Sequence, residues 1–292
     1  MPELPDLALY LEALDARLVG QKLTRVELPS AFVLRTAVPP IDVLVGTRVT
    51  GLRRIGKRIV LAFDHDRFLV LHLMVAGRLH WDAGVPRRGG AKSLAKLEFE
   101  TGTLTLTEAG TKRRASIHVI EGEAALAALD PGGIEPLEAT REAFARALTA
   151  SNRSLKRALT DPAIVSGIGN AYSDEILHRA QLPPFKRTQD LDEAEMDRLY
   201  AATRSTLSDW IRWLREAEGS GFPGRVTAFR KGMAVHGRYK EPCPVCGAPV
   251  QRVVYAENEM NYCARCQTEG RIYADRALSQ VLHDDFARHL DE

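Results

Sequence analysis

The sequence has little of what would send a chain into a membrane, into an oxidising compartment or onto a partner of one charge. Its longest apolar run, Phe68 to Ala76, is nine residues long and contains His72, whereas a bilayer span takes about 20. The first residues are a proline and acids, not the basic-then-apolar pattern of a secretory leader. Cytoplasmic residence is therefore expected, at the nucleoid if the source is bacterial. Only four cysteines are present, all between Cys243 and Cys266, so no disulfide framework is expected. Forty basic against 38 acidic side chains leave a net charge of +2, too weak to announce a nucleic-acid partner. Internal repeats and low-complexity segments are missing. A hydrophobic share of 45% over 292 residues describes an ordinary globular chain of two or three domains.

The distribution of charge says more than its sum. Arg53, Arg54, Lys57 and Arg58 form one basic cluster, and Lys112, Arg113 and Arg114 another. Gly221 to Lys240 carries Arg225, Arg230, Lys231, Arg238 and Lys240 without an acid. Such patches on a near-neutral chain fit a footprint confined to one face. Leu7, Tyr10, Leu11, Leu14 and Leu18 recur at helical spacing, with Pro5 just ahead of them. From residue 22 to about 120 the pattern changes to some six short strands, which predicts a sandwich or barrel. Asp130-Pro-Gly-Gly-Ile-Glu-Pro136 reads as a linker, and helical periodicity follows at Glu142–Ala150, Leu155–Leu159, Ala171–Arg179 and Glu193–Glu218. The expected fold is α+β and multi-domain. An N-terminal helix and β-sandwich occupy 1–129, a linker 130–137, a helical domain 138–240, a zinc hairpin 241–270 and a tail 271–292.

Three segments carry chemistry. Met1-Pro2-Glu3-Leu4-Pro5-Asp6 places a proline where loss of the initiator methionine exposes a secondary amine. An α-amino group titrates near ~8 against ~10.4 for lysine, and a secondary amine condenses with an aldehyde carbon to an iminium. Glu3 and Asp6 beside it are two acids able to move protons. Cys243-x2-Cys246-x16-Cys263-x2-Cys266 has the spacing of four thiolates around one structural Zn²⁺, with Val250–Tyr255 and Asn261-Tyr262 as hairpin arms. Ser166-Gly-Ile-Gly-Asn170 joins two helical segments and offers helix N–H groups to an anion, with Lys156 and Arg157 on the preceding helix. It is not a dinucleotide fingerprint, because no strand precedes it.

Together these segments resemble the formamidopyrimidine-DNA glycosylase/endonuclease VIII family, nearly end to end. The resemblance implies that Pro2 is the nucleophile, Glu3 its acid partner and Lys57 a catalytic, phosphate-contacting lysine. It also implies that Gly167-Ile-Gly-Asn170-Ala-Tyr172, with Glu175, forms a helix–two-turn–helix in which Asn170 holds phosphate. Lys156, Arg113, Arg114 and Arg225 are further DNA contacts in this reading, and Gly221 to Arg238 is a loop over the everted base. The partner implied is double-stranded DNA with damaged bases or abasic sites, bound by a monomer, with no membrane involved.

The sequence also departs from the family's pattern. Asp6 stands where glutamate is usual. Met74-Val75-Ala76-Gly77 replaces Gly-Met-Ser-Gly, which puts Val75, with Met74 beside it, at the position that fills the gap left by a flipped base. Lys112-Arg113-Arg114-Ala115 lacks the loop aromatic, and Asn258 stands for the hairpin arginine. The activity expected is excision of a damaged, oxidised base through a Pro2 Schiff base, then strand cleavage by β,δ-elimination. The rival is a family member that binds damaged DNA without cutting it. A zinc-stabilised interaction scaffold is a third reading, but it leaves Pro2-Glu3 and Gly167–Asn170 unexplained.

Overall fold

The computed structural model describes residues 1–84, 93–109, 113–224, 226–227, 229–255, 258–273 and 288–290. The chain divides into two compact units: Met1–Pro131 with Trp210–Thr227, and Gly132–Asp209 with Ala228–Glu292.

The first unit opens with helix α1 (Leu4–Leu18), which buries Leu7, Tyr10, Leu14 and Leu18 along one stripe, as their spacing predicts. Eight strands follow: β1 (Leu23–Glu27), β2 (Val49–Ile55), β3 (Arg58–Phe63), β4 (Arg67–His72), β5 (Gly77–Ala83), β6 (Ser93–Phe99), β7 (Gly102–Glu108) and β8 (Ser116–Glu121). They form two antiparallel four-stranded sheets, ordered β1-β6-β7-β5 and β2-β3-β4-β8. Strands β3 and β4 are nearly all apolar because both of their faces are covered. Ile59, Leu61, Leu69 and Leu71 enter the main core with α1, while Val60, Phe68 and Val70 pack on Leu126 of helix α2 (Glu123–Ala127). Strands β5 and β8 are additions to the six segments expected from sequence. The Gly-Arg-Leu-His-Trp-Asp run of β5 alternates Arg78, His80 and Asp82 with Leu79 and Trp81, a period of two without any apolar run to mark it.

The second unit contains α3 (Arg141–Thr149), α4 (Leu155–Thr160), α5 (Asn170–Ala180) and α6 (Glu193–Glu218), whose last residues from Trp210 belong to the first unit. Thr140 caps α3, its Oγ1 accepting from Ala143 N–H at 3.2 Å. A hairpin of β9 (Val250–Tyr255) and β10 (Asn258–Cys263) follows, then the short α7 (Ala264–Thr268). Beyond it the chain returns: Ile272 N–H donates to Arg288 O at 2.8 Å and Leu290 N–H to Gly270 O at 2.9 Å. Leu290 packs against both apolar clusters of the hairpin, so part of the tail completes its core. The expected α+β architecture, with a helix and sandwich, a helical domain and a C-terminal hairpin, is the one found. Among the described residues no helix is long and apolar enough to cross a membrane.

Candidate functional site

At the start of α1, Pro2, Glu3 and Asp6 are all buried. Glu3 is the N-cap, with extended backbone, and its N–H donates to Asp6 Oδ2 at 3.0 Å while its own carboxylate takes the Asp6 N–H. This reciprocal capping box satisfies two of the helix's orphan donors and fixes Glu3 beside Pro2. It also gives Asp6 its task, one that a short carboxylate performs. Burial holds the Met1 ammonium, next to Pro2, below its ordinary value, and the charges of Arg78 and Lys57 add to this against the pull of Glu3 and Asp6. Lys57 stands on the two-residue turn between β2 and β3, where Gly56 adopts φ +58°. Beside it, burial and then the charges of Arg58 and Lys57 lower His72 to about 4, so its imidazole is neutral at pH 7.

The turn after β4 presents Val75 at its tip, 58% exposed, with Met74 half-buried behind it at φ +52°. Gly77 closes this turn. A Cβ there would meet Leu73 O at 2.2 Å, so only glycine fits. Exposed Arg113 and Arg114 follow β7, and the sequence alone missed what shapes their loop. The buried Glu108 carboxylate accepts the N–H groups of Arg114, at 2.9 and 3.1 Å, and of Ala115, at 3.1 Å. Lys112 and Arg225 lie outside the described residues, as does the side chain of Asn258.

In the second unit α4 and α5 flank the glycine turn, with Gly169 as N-cap of α5 and Asn170 at its first position. Lys156, expected among the DNA contacts, is instead buried. Its ammonium donates to Asn170 O at 2.7 Å and to Asp174 Oδ1 at 2.6 Å, with Lys156 1% and Asp174 0% exposed. The lysine therefore positions Asn170 from inside. Asp174 also receives His236 Nδ1 at 2.8 Å and Asn261 Nδ2 at 3.4 Å. Glu175 accepts three successive N–H groups, from Ala234, Val235 and His236, at 2.7, 2.9 and 2.9 Å. Burial still raises its pKa. Sequence patterns do not carry the pairs that Asp174 and Glu175 make with 234–236 and Asn261, because those partners stand about 60 residues and more away.

The four cysteines converge, with every Sγ within 4.8 Å of the others. Zinc bound at about 2.3 Å to four sulfurs sets tetrahedron edges near 3.8 Å. Sγ–Sγ distances of 3.9 Å for Cys243–Cys266 and 3.4 Å for Cys246–Cys263 match that frame. Burial pushes the Cys263 thiol up to about 11 and raises Cys266 as well, a cost that a divalent cation bound to the thiolates would offset. Four thiolates and no open position make this one structural zinc site. From α5, the buried His178 directs Nε2 at Cys243 Sγ, 3.2 Å away. A zinc-bound thiolate has lone pairs and no proton, so this nitrogen carries the hydrogen.

Comparison with known proteins agrees with this geometry. Residues 1–117 match the formamidopyrimidine-DNA glycosylase N-terminal domain, 133–219 the formamidopyrimidine-DNA glycosylase H2TH domain, and 240–268 the zinc finger found in FPG and IleRS. A formamidopyrimidine-DNA glycosylase of Heliobacterium modesticaldum is 32% identical over 281 residues, covering 91% of this chain and all of that one. Lactococcus lactis Fpg, solved with abasic-site DNA, superposes with TM-score 0.81 at 25% identity, over 91% of this chain and 99% of its own. MutM, solved with DNA containing carbocyclic 8-oxo-G, gives 0.79 at 26% identity, over 91% and 100%. The chain belongs to the formamidopyrimidine-DNA glycosylase family.

Two outcomes follow from these contacts. Asp174→Ala strands a buried ammonium and should cost about 3–5 kcal/mol, read as a lower denaturant midpoint. His178→Phe keeps the ring but removes the N–H facing Cys243. Its zinc affinity, measured by competition with a chelating dye, should fall about 10- to 100-fold, and an unchanged affinity contradicts the assigned hydrogen bond.

Proposed function

We propose that the protein is a bifunctional DNA glycosylase and abasic-site lyase that acts on oxidised bases through Pro2. The observation that carries this reading is the buried α1 terminus. There Pro2 is buried with Glu3 locked beside it by the capping box, and burial lowers the pKa of the Met1 amine that precedes it, with Lys57 adding to that shift. Loss of Met1 would leave Pro2 with an α-amine, a group that titrates near ~8 and whose free form has the lone pair a nucleophile needs.

The damaged nucleotide leaves the stack at a cost of a few kcal/mol. The Pro2 nitrogen then bonds to the sugar C1′ as the glycosidic bond breaks, and the base departs with that electron pair and takes up a proton. Glu3 delivers a proton to the sugar ring oxygen, the ring opens, and an iminium forms between Pro2 and C1′. The iminium acidifies the C2′ hydrogen. Its removal expels the 3′ phosphate, and a second elimination expels the 5′ phosphate. Lys57 and Asn170 hold backbone phosphate, Asn170 being positioned by Lys156. Arg113, Arg114 and Arg225 add contacts, and Val75, backed by Met74, fills the gap in the duplex. Abasic-site and 8-oxo-G DNA in the solved relatives support this choice of substrate.

Borohydride reduction on duplex containing an abasic site tests the lyase directly. Wild-type protein should give a covalent adduct, and Pro2→Gly or retention of Met1 should remove most of it. Glu3→Gln should slow base release by about 10²- to 10⁴-fold with DNA affinity kept. Tight binding without any adduct, on abasic or damaged DNA, would instead support the non-cleaving reading.

A further inference from the structure

Two connections cross from one sheet of the first unit to the other, and they carry side chains proposed above to meet the duplex. Residues 73–76 lead from β4 to β5 and hold Val75, while residues 109–115 lead from β7 to β8 and hold Arg113 and Arg114. The ends of the two connections lie side by side, because their flanking strands are paired. Gly77 pairs with Glu108 in one sheet, and His72 pairs with Ser116 in the other. Ala109 N–H also donates to Ala76 O at 3.5 Å.

The shorter connection closes on itself, with Gly77 N–H donating to Leu73 O at 2.9 Å. A side chain ties the longer one. Glu108 Oε2 accepts Arg114 N–H at 2.9 Å and Ala115 N–H at 3.1 Å, and Oε1 takes the Arg114 N–H at 3.1 Å. This carboxylate therefore fastens the last residue of β7 to the residues that lead into β8. Glu108 is 3% and Ala115 2% exposed, so the tie is internal, whereas Arg113 is exposed. The sign of the charge argues that the acid serves geometry. A buried carboxylate costs free energy unless donors surround it, and its charge beside a basic loop weakens the field that draws DNA in.

We propose that Glu108 is a positioning residue for DNA binding, whose carboxylate holds Arg113 and Arg114 in register with the Val75 turn. The two connections then meet the duplex as one surface. This rests on the DNA-processing reading above and adds a residue that acts through the arginines, outside the Pro2 chemistry. It sets the place of the loop through backbone N–H groups, so its work is separable from the charge it carries.

The zinc-loaded full-length protein is titrated with a duplex carrying an abasic-site analogue, at several salt concentrations. Glu108→Gln keeps the side-chain shape, removes the charge and turns an NH2 group towards a backbone N–H. Positioning predicts binding about tenfold weaker, as for loss of one charge-assisted contact. It also predicts that the slope of log K against log salt flattens by about 1. Removal of a negative charge alone predicts the opposite, tighter binding. In a protein carrying both Arg113→Ala and Arg114→Ala, Glu108→Gln should weaken binding by less than about twofold, because the side chains it positions are gone. Borohydride trapping on a single-stranded abasic oligonucleotide, at saturating protein, should match the wild type in Glu108→Gln and so separates positioning from a collapsed fold. Equal or tighter duplex binding by Glu108→Gln would overturn the role while leaving the glycosylase reading intact. So would a full additive loss in the double-alanine protein, or loss of single-strand trapping. A wild type that binds no duplex would overturn that reading and the Glu108 role with it.

Discussion

A carboxylate with no exposed surface is stable only where charge and hydrogen bonds surround it, and Asp174 imposes that condition on the second unit. The groups that meet it come from three elements: Lys156 from α4, His236 from the segment before the hairpin, and Asn261 from β10. Glu175, one residue on, gathers three backbone N–H groups of 234–236, and His178, one turn on, reaches the zinc ligand Cys243. One face of α5 thus holds the glycine turn, the pre-hairpin segment and the metal hairpin together. Because Lys156 also holds the Asn170 carbonyl, the N-terminal end of α5, proposed to meet phosphate, is fixed by the same ion network.

The first unit secures the start of α1 differently. Helix α1 is capped at Glu3 and Asp6 and buried along Leu7, Tyr10 and Leu14, and it is clamped from the solvent side by the end of α6. Arg215 Nε donates to both Glu12 carboxylate oxygens at 3.0 Å, and Arg17 donates to Ser220 O at 3.1 Å. Phe222 packs on Tyr10 with centroids 5.7 Å apart, and Tyr10 Oη accepts the Leu79 N–H at 3.3 Å. The exposed clamp pairs add little stability one by one. What they supply is orientation: under the proposed chemistry the α1 terminus must not rock, and preorganised geometry is where catalytic advantage originates.

Much of this was legible in the amino-acid sequence, and the boundary follows from physics. Helix spacing found α1 and the helices from Glu142 onward, because each depends on neighbours three and four residues away. The cysteine spacing found the zinc site for the same reason. Strands β5 and β8 lie beyond the expected six: β5 alternates polar and apolar residues but is short of apolar ones, and pairing of the two with β7 and β4 completes their order. Lys156 was read as a surface cation because a lysine's solvated state is the usual one. Its burial depends on Asp174, 18 residues away, in an arrangement that only the folded turn creates. Glu108, His178 and His236 belong to the same class, single polar residues given meaning by distant partners. Asp6 read as a shortened departure, and the capping box shows what that length serves.

The central claim is that one particular nitrogen, that of Pro2, forms the bond to the sugar. The most direct measurement is to reduce the complex with abasic-site DNA, digest both protein and DNA, and locate the sugar remnant by tandem mass spectrometry. The account predicts the remnant on the amino-terminal peptide, at Pro2. A remnant on the peptide bearing Lys57, or on any other lysine, would contradict it.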